Sequence, residues 1–114
     1  MNNTIKERSY SFAVRAVKLY QYLSAEKREY VISKQLLRCA TSVGANVREA
    51  LQGQSKADFI AKMSIALKEA SESEYWLELL RDTDYLSDEE YTSIRKDCSE
   101  VAKLLTSIVK TSRG

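Results

Sequence analysis

Histidine and proline are absent from this chain of 114 residues, and glycine occurs only three times. Without an imidazole there is no Ser-His or Cys-His nucleophile pair, no histidine acid–base group and no Glu-x-x-His ligand set for a di-iron centre. Proline and glycine are the residues that most strongly interrupt helices, whereas alanine, leucine, glutamate, lysine and arginine favour them. The composition therefore favours an all-α protein and excludes the commonest catalytic arrangements.

Long apolar runs are also missing. No stretch approaches the roughly 18 residues of a membrane span, and the first residues lack the apolar core of a signal peptide. We therefore expect a cytoplasmic protein with no membrane contact. Cys39 and Cys98 lie on apolar helical stripes and are interpreted as reduced core residues; a disulfide between them is the less favoured alternative. The length suits one domain, residues 1–114, with one core.

The net charge of +2 hides an uneven distribution along the chain. Residues 1–68 hold 12 lysines and arginines against 5 acidic residues, whereas residues 69–114 hold 6 against 11. Such asymmetry indicates either a nucleic-acid surface or two ends that attract each other in an oligomer.

The segment 36–50 is predicted to be the centre of a helix that spans about residues 30–52. At 100° per residue, one narrow apolar stripe comprises Leu36, Ala40, Val43, Val47 and Ala50. Gly44 costs this helix about 1 kcal/mol relative to alanine, which indicates that another helix approaches closely there. Gly53 is predicted to end the helix in the left-handed conformation. A preceding helix is predicted to begin at residues 9–11 and to end near Glu26.

A third helix, over about residues 55–83, begins at the N-cap Ser55 and carries two apolar lines. The line that is predicted to face the core comprises Phe59, Met63, Ala66, Ala70 and Leu77. A helix in a lone bundle needs only one such line, so the second indicates an oligomer interface. The residues of this candidate interface are Ile65, Trp76, Leu79 and Leu80.

The fourth helix follows a capping box formed by Ser87 and Glu90. Its apolar seam has heptad spacing and comprises Tyr91, Ile94, Cys98, Val101, Leu105 and Ile108. Four amphipathic helices joined by short connections predict an all-α, antiparallel up-down-up-down four-helix bundle.

Basic and aromatic residues of the first two helices form the candidate nucleic-acid surface. They are Arg15, Lys18 and Tyr22 on the first helix and Lys34, Arg38 and Arg48 on the second. Cationic side chains neutralise phosphates, and a tyrosine ring can stack on a base. The alternative is an ordinary solvated face, which a small domain with 30% charged residues would have in any case.

Glu74 lies at the edge of the core line of the third helix. It is interpreted either as a catalytic carboxylate or, by preference, as a half-buried acceptor for a polar partner, with Asn46 or Arg48 as candidates. Asn46 is expected to bond a neighbouring helix. Glu69, Glu72, Glu74 and Glu78 could ligate a hard cation but are expected to face water. No metal, cofactor or small-molecule substrate is predicted.

Three segments carry a resemblance to a known family. They are residues 40–50 (Ala40-Thr-Ser-Val-Gly-Ala-Asn-Val-Arg-Glu-Ala50), 55–70 and 74–80. These segments resemble the bacterial four-helix-bundle family, whose members are also called 23S ribosomal RNA intervening-sequence proteins. The resemblance implies an antiparallel bundle, often assembled as a ring-like homopentamer, with no settled molecular activity. A related branch, the accessory protein of diversity-generating retroelements, is a basic pentamer that works with a reverse transcriptase and nucleic acid.

The residues and the resemblance together predict a non-enzymatic homo-oligomer, a pentamer by resemblance. We expect it to bind RNA or a ribonucleoprotein such as the ribosome through the basic faces of helices one and two. The alternative is a structural or protein-interaction scaffold without nucleic-acid binding. RNA affinity that falls steeply with salt would distinguish the first hypothesis from the second.

Overall fold

The computed structural model describes residues 3–114, so the first two residues of the predicted domain lie outside the described part. Four helices follow one another: α1 Asn3–Glu26, α2 Ile32–Leu51, α3 Lys56–Asp82 and α4 Asp88–Arg113. Residues 3–114 contain no β-strand. Helices of this length extend roughly 30–40 Å. Because the molecule measures 44 × 20 × 19 Å, all four helices run along its long axis.

Each helix packs on its neighbours in sequence, and α1 also packs on α4. The helices on the two diagonals, α1 with α3 and α2 with α4, make no such contact. The connections at residues 27–31, 52–55 and 83–87 are short, so consecutive helices must run antiparallel. The predicted up-down-up-down four-helix bundle is confirmed. Within residues 3–114, no helix is both long and apolar enough to cross a membrane.

The core residues of α2 and α4 follow the predicted apolar lines with one shift. All five residues of the α2 stripe are buried, and Cys39 and Cys98 are buried free thiols, as predicted. At the end of α4, however, Val109 occupies the core and Ile108 is only half-buried, so the predicted seam is wrong at its last residue. A strict heptad drifts around a straight α-helix, and the step of four from Leu105 to Val109 corrects that drift.

The helix α1 begins at least six residues before the predicted start at residues 9–11, because it is already helical at Asn3. Ile5 and Ser9 are each only 1% exposed, and Ile5 belongs to the core. Burial of the first turns therefore extends this helix. The sequence also has a helix-start signal here that the prediction overlooked, the capping-box spacing of Thr4 and Glu7.

Two predicted helix starts are confirmed by their hydrogen bonds. The Ser55 hydroxyl accepts the backbone N–H of Asp58 at 3.0 Å and caps α3. The Ser87 hydroxyl accepts the N–H of Glu90 at 3.0 Å, and the Glu90 carboxylate accepts the N–H of Ser87 at 2.8 Å. These bonds satisfy backbone donors that a helix N-terminus otherwise leaves unpaired.

The prediction that Gly53 adopts the left-handed conformation is wrong, because no glycine of the described residues has a positive φ. The end of α2 is instead a tight turn in which Gly53 N–H donates to the Ala50 carbonyl at 3.0 Å. A β-carbon on Gly53 would lie 2.8 Å from the carboxylate of Asp58. The exposed Asp58 side chain can move aside, but the β-carbon would also lie 3.1 Å from the backbone carbonyl oxygen of Ala50, so the tight turn itself favours glycine here. Within residues 3–114, a positive φ occurs at Arg28 and Asp84, which follow α1 and α3.

Gly44 lies against α1, as its position in α2 predicts. A β-carbon added there would lie 3.5 Å from the carbonyl oxygen of Ser9, which is an ordinary van der Waals distance. The two helices therefore meet closely at this point, but the space accepts a methyl group.

Candidate nucleic-acid interface

The three α1 residues of the candidate surface line a groove between α1 and α4 of about 440 Å³. Its floor is apolar, formed by Leu19, Leu86 and Ile94, and its walls are charged. Arg15, Lys18 and Tyr22 lie on the α1 side, and Glu89 and Glu90 lie on the α4 side. Because carboxylates face the cations across the groove, its electrostatic potential is mixed.

Arg15 was predicted to face solvent as a phosphate ligand, but its guanidinium is already bound within the chain. It donates to the Asp97 carboxylate at 2.8 Å and to the Ser93 carbonyl and hydroxyl at 3.1 and 3.0 Å. The charge of Arg15 is thus partly neutralised within the bundle, although 39% of its side chain stays exposed. Lys18 and Tyr22 remain exposed, with Tyr22 42% accessible.

The three α2 residues of the candidate surface, Lys34, Arg38 and Arg48, are all exposed. Arg38 Nη1 lies 3.8 Å from the carboxylate of Glu69 on α3, a long ion pair whose arginine side chain keeps 56% of its accessible area. The guanidinium of Arg48 lies over the ring of Tyr10, 5.2 Å from its centroid. The guanidinium of Arg48 can bind a phosphate at its edge while its face covers the ring, and Arg38 is largely exposed. Both arginines therefore stay able to contact an anion.

The structure does not bring the six predicted residues into one patch. One group borders the α1–α4 groove, and the other lies on the outer face of α2, which is diagonal to α4. We name Lys34, Arg38 and Arg48 the α2 cation face. This face is the stronger half of the predicted surface, because the one carboxylate of α2, Glu49, is already bound to Lys62 of α3 at 2.9 Å.

The predicted link between Asn46 and Glu74 is absent. Asn46 donates within its own helix, to the Ser42 carbonyl at 2.9 Å and to the Ser42 hydroxyl at 3.1 Å. Glu74 accepts from Arg95 of α4 at 3.1 Å and from the Ser99 hydroxyl at 3.4 Å. The hydrogen bond to Glu74 also raises the pKa of Arg95. Glu74 is thus a half-buried acceptor, as the preferred interpretation held, but its partner lies on α4.

The residues of the second apolar line of α3 differ in how far the bundle buries them. Leu80 is fully buried in the core, so its place in the candidate oligomer interface is wrong. Trp76 and Leu79 are half-buried, and Ile65 is 42% exposed. Tyr75, which the sequence reading missed, is 57% exposed and its ring packs edge-to-face on Trp76 at 4.9 Å. Its spacing of four residues before Leu79 could have identified it.

One cluster has the residue types of a metal site. Cys39 Sγ and carboxylate oxygens of Glu69 and Glu72 lie within 4.8 Å of one another, and Glu69 Oε1 has no hydrogen-bond partner among the described residues. Burial raises the pKa of the Cys39 thiol to about 11. The charge of Arg38 opposes this increase, and the carboxylates of Glu69 and Glu72 add to it. Arg38 already supplies a cation to this cluster, 3.8 Å from the Glu69 carboxylate, so we assign no metal to it.

The fold and its surfaces define a class of protein: an antiparallel four-helix bundle with a packed core, a cationic helix face and no imidazole. Residues 1–107 match the model of the 23S rRNA-intervening sequence protein family. The chain therefore belongs to this family. No curated protein matches the sequence.

Among solved structures, the chain is similar to a protein of unknown function from the S23 ribosomal protein family of Bacteroides thetaiotaomicron. The two share 58% sequence identity over 96% of this chain and 97% of the other, with a TM-score of 0.94. The resemblance to the intervening-sequence family is thereby confirmed. Neither relationship brings an established activity with it.

Proposed function

We propose that this protein is a non-enzymatic homo-oligomer that binds RNA or a ribonucleoprotein in the cytoplasm. The α2 cation face makes the main contact, and Lys18 and Tyr22 at the α1–α4 groove make a smaller one. Ribosomal RNA is the preferred partner, since the similar structure comes from a protein family named as ribosomal.

The observation that carries this proposal is the separation of charge on α2. Its three cations, Lys34, Arg38 and Arg48, are exposed, while its one carboxylate, Glu49, is engaged by Lys62. Lys34 and Arg48 are 14 residues apart, so the face extends about 21 Å along the helix. A cationic row of this length can contact several phosphates of a nucleic-acid backbone.

The proposed oligomer rests on the outer side of α3. Ile65 and Tyr75 are exposed there, with the half-buried Trp76 and Leu79 beside them, and this apolar surface would be buried by a second copy. A pentameric ring, which the family resemblance implies, would repeat the α2 cation face five times. Repetition raises avidity for a long RNA without any new contact.

A binding titration of the assembled protein with purified 23S rRNA, at several salt concentrations, tests the proposal. We expect affinity that falls steeply with salt, and a loss of at least about tenfold when Lys34, Arg38 and Arg48 are all changed to Gln. The matched control changes Lys6, Lys27 and Lys56 to Gln, which removes the same charge from other exposed positions. Binding that is absent, or that both variants weaken equally, overturns the proposal.

A protein-interaction scaffold is the second candidate function. It is favoured by the ion pairs of Arg15 with Asp97 and of Arg38 with Glu69, which partly neutralise two of the candidate RNA-binding cations within the chain. On this hypothesis, a protein partner stays bound to the tagged protein after nuclease treatment. Release of the partner by nuclease supports RNA binding instead.

A further inference from the structure

A row of lysines runs along the outer face of α4. Lys96, Lys103 and Lys110 are spaced by seven residues, which places them on one side of the helix about 10.5 Å apart. All three are exposed, and none forms an ion pair with a described residue. We name these three residues the α4 lysine row. The sequence reading, which looked for cations on the first two helices, missed it.

Two carboxylates of the same helix lie on the flank of this row that is next to α1. After its first turn, α4 carries two acidic residues, Asp97 and Glu100, and both bind arginines of α1. Arg15 pairs with Asp97 at 2.8 Å, and Arg8 pairs with Glu100. On the other flank, Glu74 of α3 pairs with Arg95. These three carboxylates are therefore each paired with an arginine. The three lysines outnumber Glu89, the exposed carboxylate one heptad before Lys96, so the row keeps a net positive potential.

A shallow groove of about 510 Å³ adjoins the row. Lys103 and Lys110 line it together with three hydroxyl residues, Ser99, Thr106 and Ser107. The one carboxylate in its wall, Glu74, already accepts from Arg95 and Ser99. Ammonium and hydroxyl donors in this arrangement suit phosphate and sugar oxygens.

The groove has no aromatic residue, and none occurs in the sequence after Tyr91. It therefore offers no ring on which an unpaired base could stack, which is how single strands are usually held. Double-helical RNA is recognised instead through its phosphates and 2′-hydroxyl groups, which lie at its surface. The residues of the row thus fit a duplex and not a single strand.

We propose that the α4 lysine row and its hydroxyl groove form a second RNA contact, which binds the sugar-phosphate backbone of an RNA double helix without reading its sequence. This inference rests on the proposed function and adds a separate surface to it. Because α2 and α4 are diagonal in the bundle, the row faces away from the α2 cation face, and the two surfaces bind different segments of RNA.

The test measures binding of a 20-base-pair RNA duplex to the full chain by fluorescence anisotropy over a range of salt concentrations. One variant changes Lys96, Lys103 and Lys110 to Gln, and a second changes them to Arg. We expect the Gln variant to bind at least about tenfold more weakly. The negative slope of log affinity against log salt concentration should become shallower by about three. The Arg variant keeps the charge and binds like the wild type.

Three comparisons make the outcome decisive. The variant that lacks Lys6, Lys27 and Lys56 should bind like the wild type, and so should wild-type protein on a duplex of unrelated sequence. A DNA duplex of the same sequence should bind more weakly, because it lacks the 2′-hydroxyl groups. Equal binding of the DNA duplex, or of poly-glutamate, overturns the assignment to RNA.

The result also separates the two proposals. If wild-type protein binds no RNA, both fail. If it binds RNA and the Gln variant of the α4 row equals the wild type while the α2 variant loses binding, the inference about α4 fails and the proposed function stands. Circular dichroism of each variant confirms that the bundle is folded.

Discussion

The Glu29 carboxylate caps α2 by accepting the backbone N–H of Ser33 at 2.8 Å. It also accepts the N–H groups of Val31 and Ile32 at 3.0 and 2.9 Å, and the Ser33 hydroxyl donates back to the Glu29 carbonyl at 2.9 Å. A negative charge at the positive end of a helix dipole is stabilising. This cap fixes the point at which α2 begins, and therefore the position of Lys34 in its first turn.

The cap makes the stability of the bundle depend on pH. Burial alone would raise the pKa of Glu29, but the hydrogen bonds from Ile32, Ser33 and Val31 outweigh it and lower the pKa below its usual value of 4.5. Because the folded pKa lies below the unfolded one, the stabilisation is complete above the unfolded pKa and is lost as the pH falls through the folded pKa.

We expect Glu29→Gln to lower the free energy of unfolding by about 1–2 kcal/mol at neutral pH, and the difference from the wild type to shrink in acid. Urea denaturation at a series of pH values measures this. Glu26→Gln, at an exposed position at the end of α1, is the control. A difference between Glu29→Gln and the wild type that is the same at every pH contradicts the prediction.

Replacing each of the two interior glycines by alanine should change the stability of the fold in opposite directions. At Gly44 a β-carbon makes an ordinary 3.5 Å contact with the Ser9 carbonyl, so the gain in helix propensity prevails. We expect Gly44→Ala to stabilise the fold by up to about 1 kcal/mol, or about 4 °C in Tm. At Gly53 the β-carbon would lie 3.1 Å from the backbone carbonyl oxygen of Ala50, which cannot move without disturbing the turn, so alanine should lower Tm. Thermal denaturation with equal shifts for both variants would refute this explanation.

The pair Glu74–Arg95 joins α3 to α4 at 3.1 Å, with 33% and 39% of the two side chains exposed. Solvent screens a pair at this exposure, so a double-mutant cycle with Glu74→Gln and Arg95→Gln should give a coupling of about 0.5–1 kcal/mol. The coupling should fall as salt is added. A coupling that salt leaves unchanged would show that packing, and not charge, links the two residues.

The outer apolar side of α3 should control assembly. Ile65→Glu places a charge in the proposed interface, and we expect light scattering to show a smaller species with unchanged helix content. Val31→Glu is the control, since Val31 is 74% exposed in the connection between α1 and α2. Val31→Glu should form an assembly of the same mass as the wild type. If the Ile65→Glu variant also forms an assembly of that mass, this side of α3 is not the interface.

Much of the fold follows from the sequence because its signals are local. The apolar stripe of α2 and the serine caps of α3 and α4 depend on residues within one or two turns of each other, and all were predicted correctly. The start of α1 depends on burial of Ile5 by the other helices. The position of Ile5, one heptad before the buried Phe12, continues the core line of α1 and could have indicated the earlier start.

The candidate site was less predictable because charge partners lie on other helices. Arg15 pairs with Asp97, 82 residues away, and Arg38 with Glu69. The basic first part of the chain and its acidic second part thus attract each other partly within one bundle. Helical periodicity gives the face on which a residue lies, but not the residue that a neighbouring helix places opposite it. Leu80 was assigned to the wrong surface for the same reason.

Ultraviolet cross-linking of the assembled protein to 23S rRNA, followed by mass spectrometry of the peptides, tests the central claim most directly. The account predicts RNA adducts on peptides that contain Lys34, Arg38 or Arg48, and on the peptide that contains Tyr22. An absence of adducts, or adducts confined to the outer side of α3 around Ile65 and Tyr75, would contradict it.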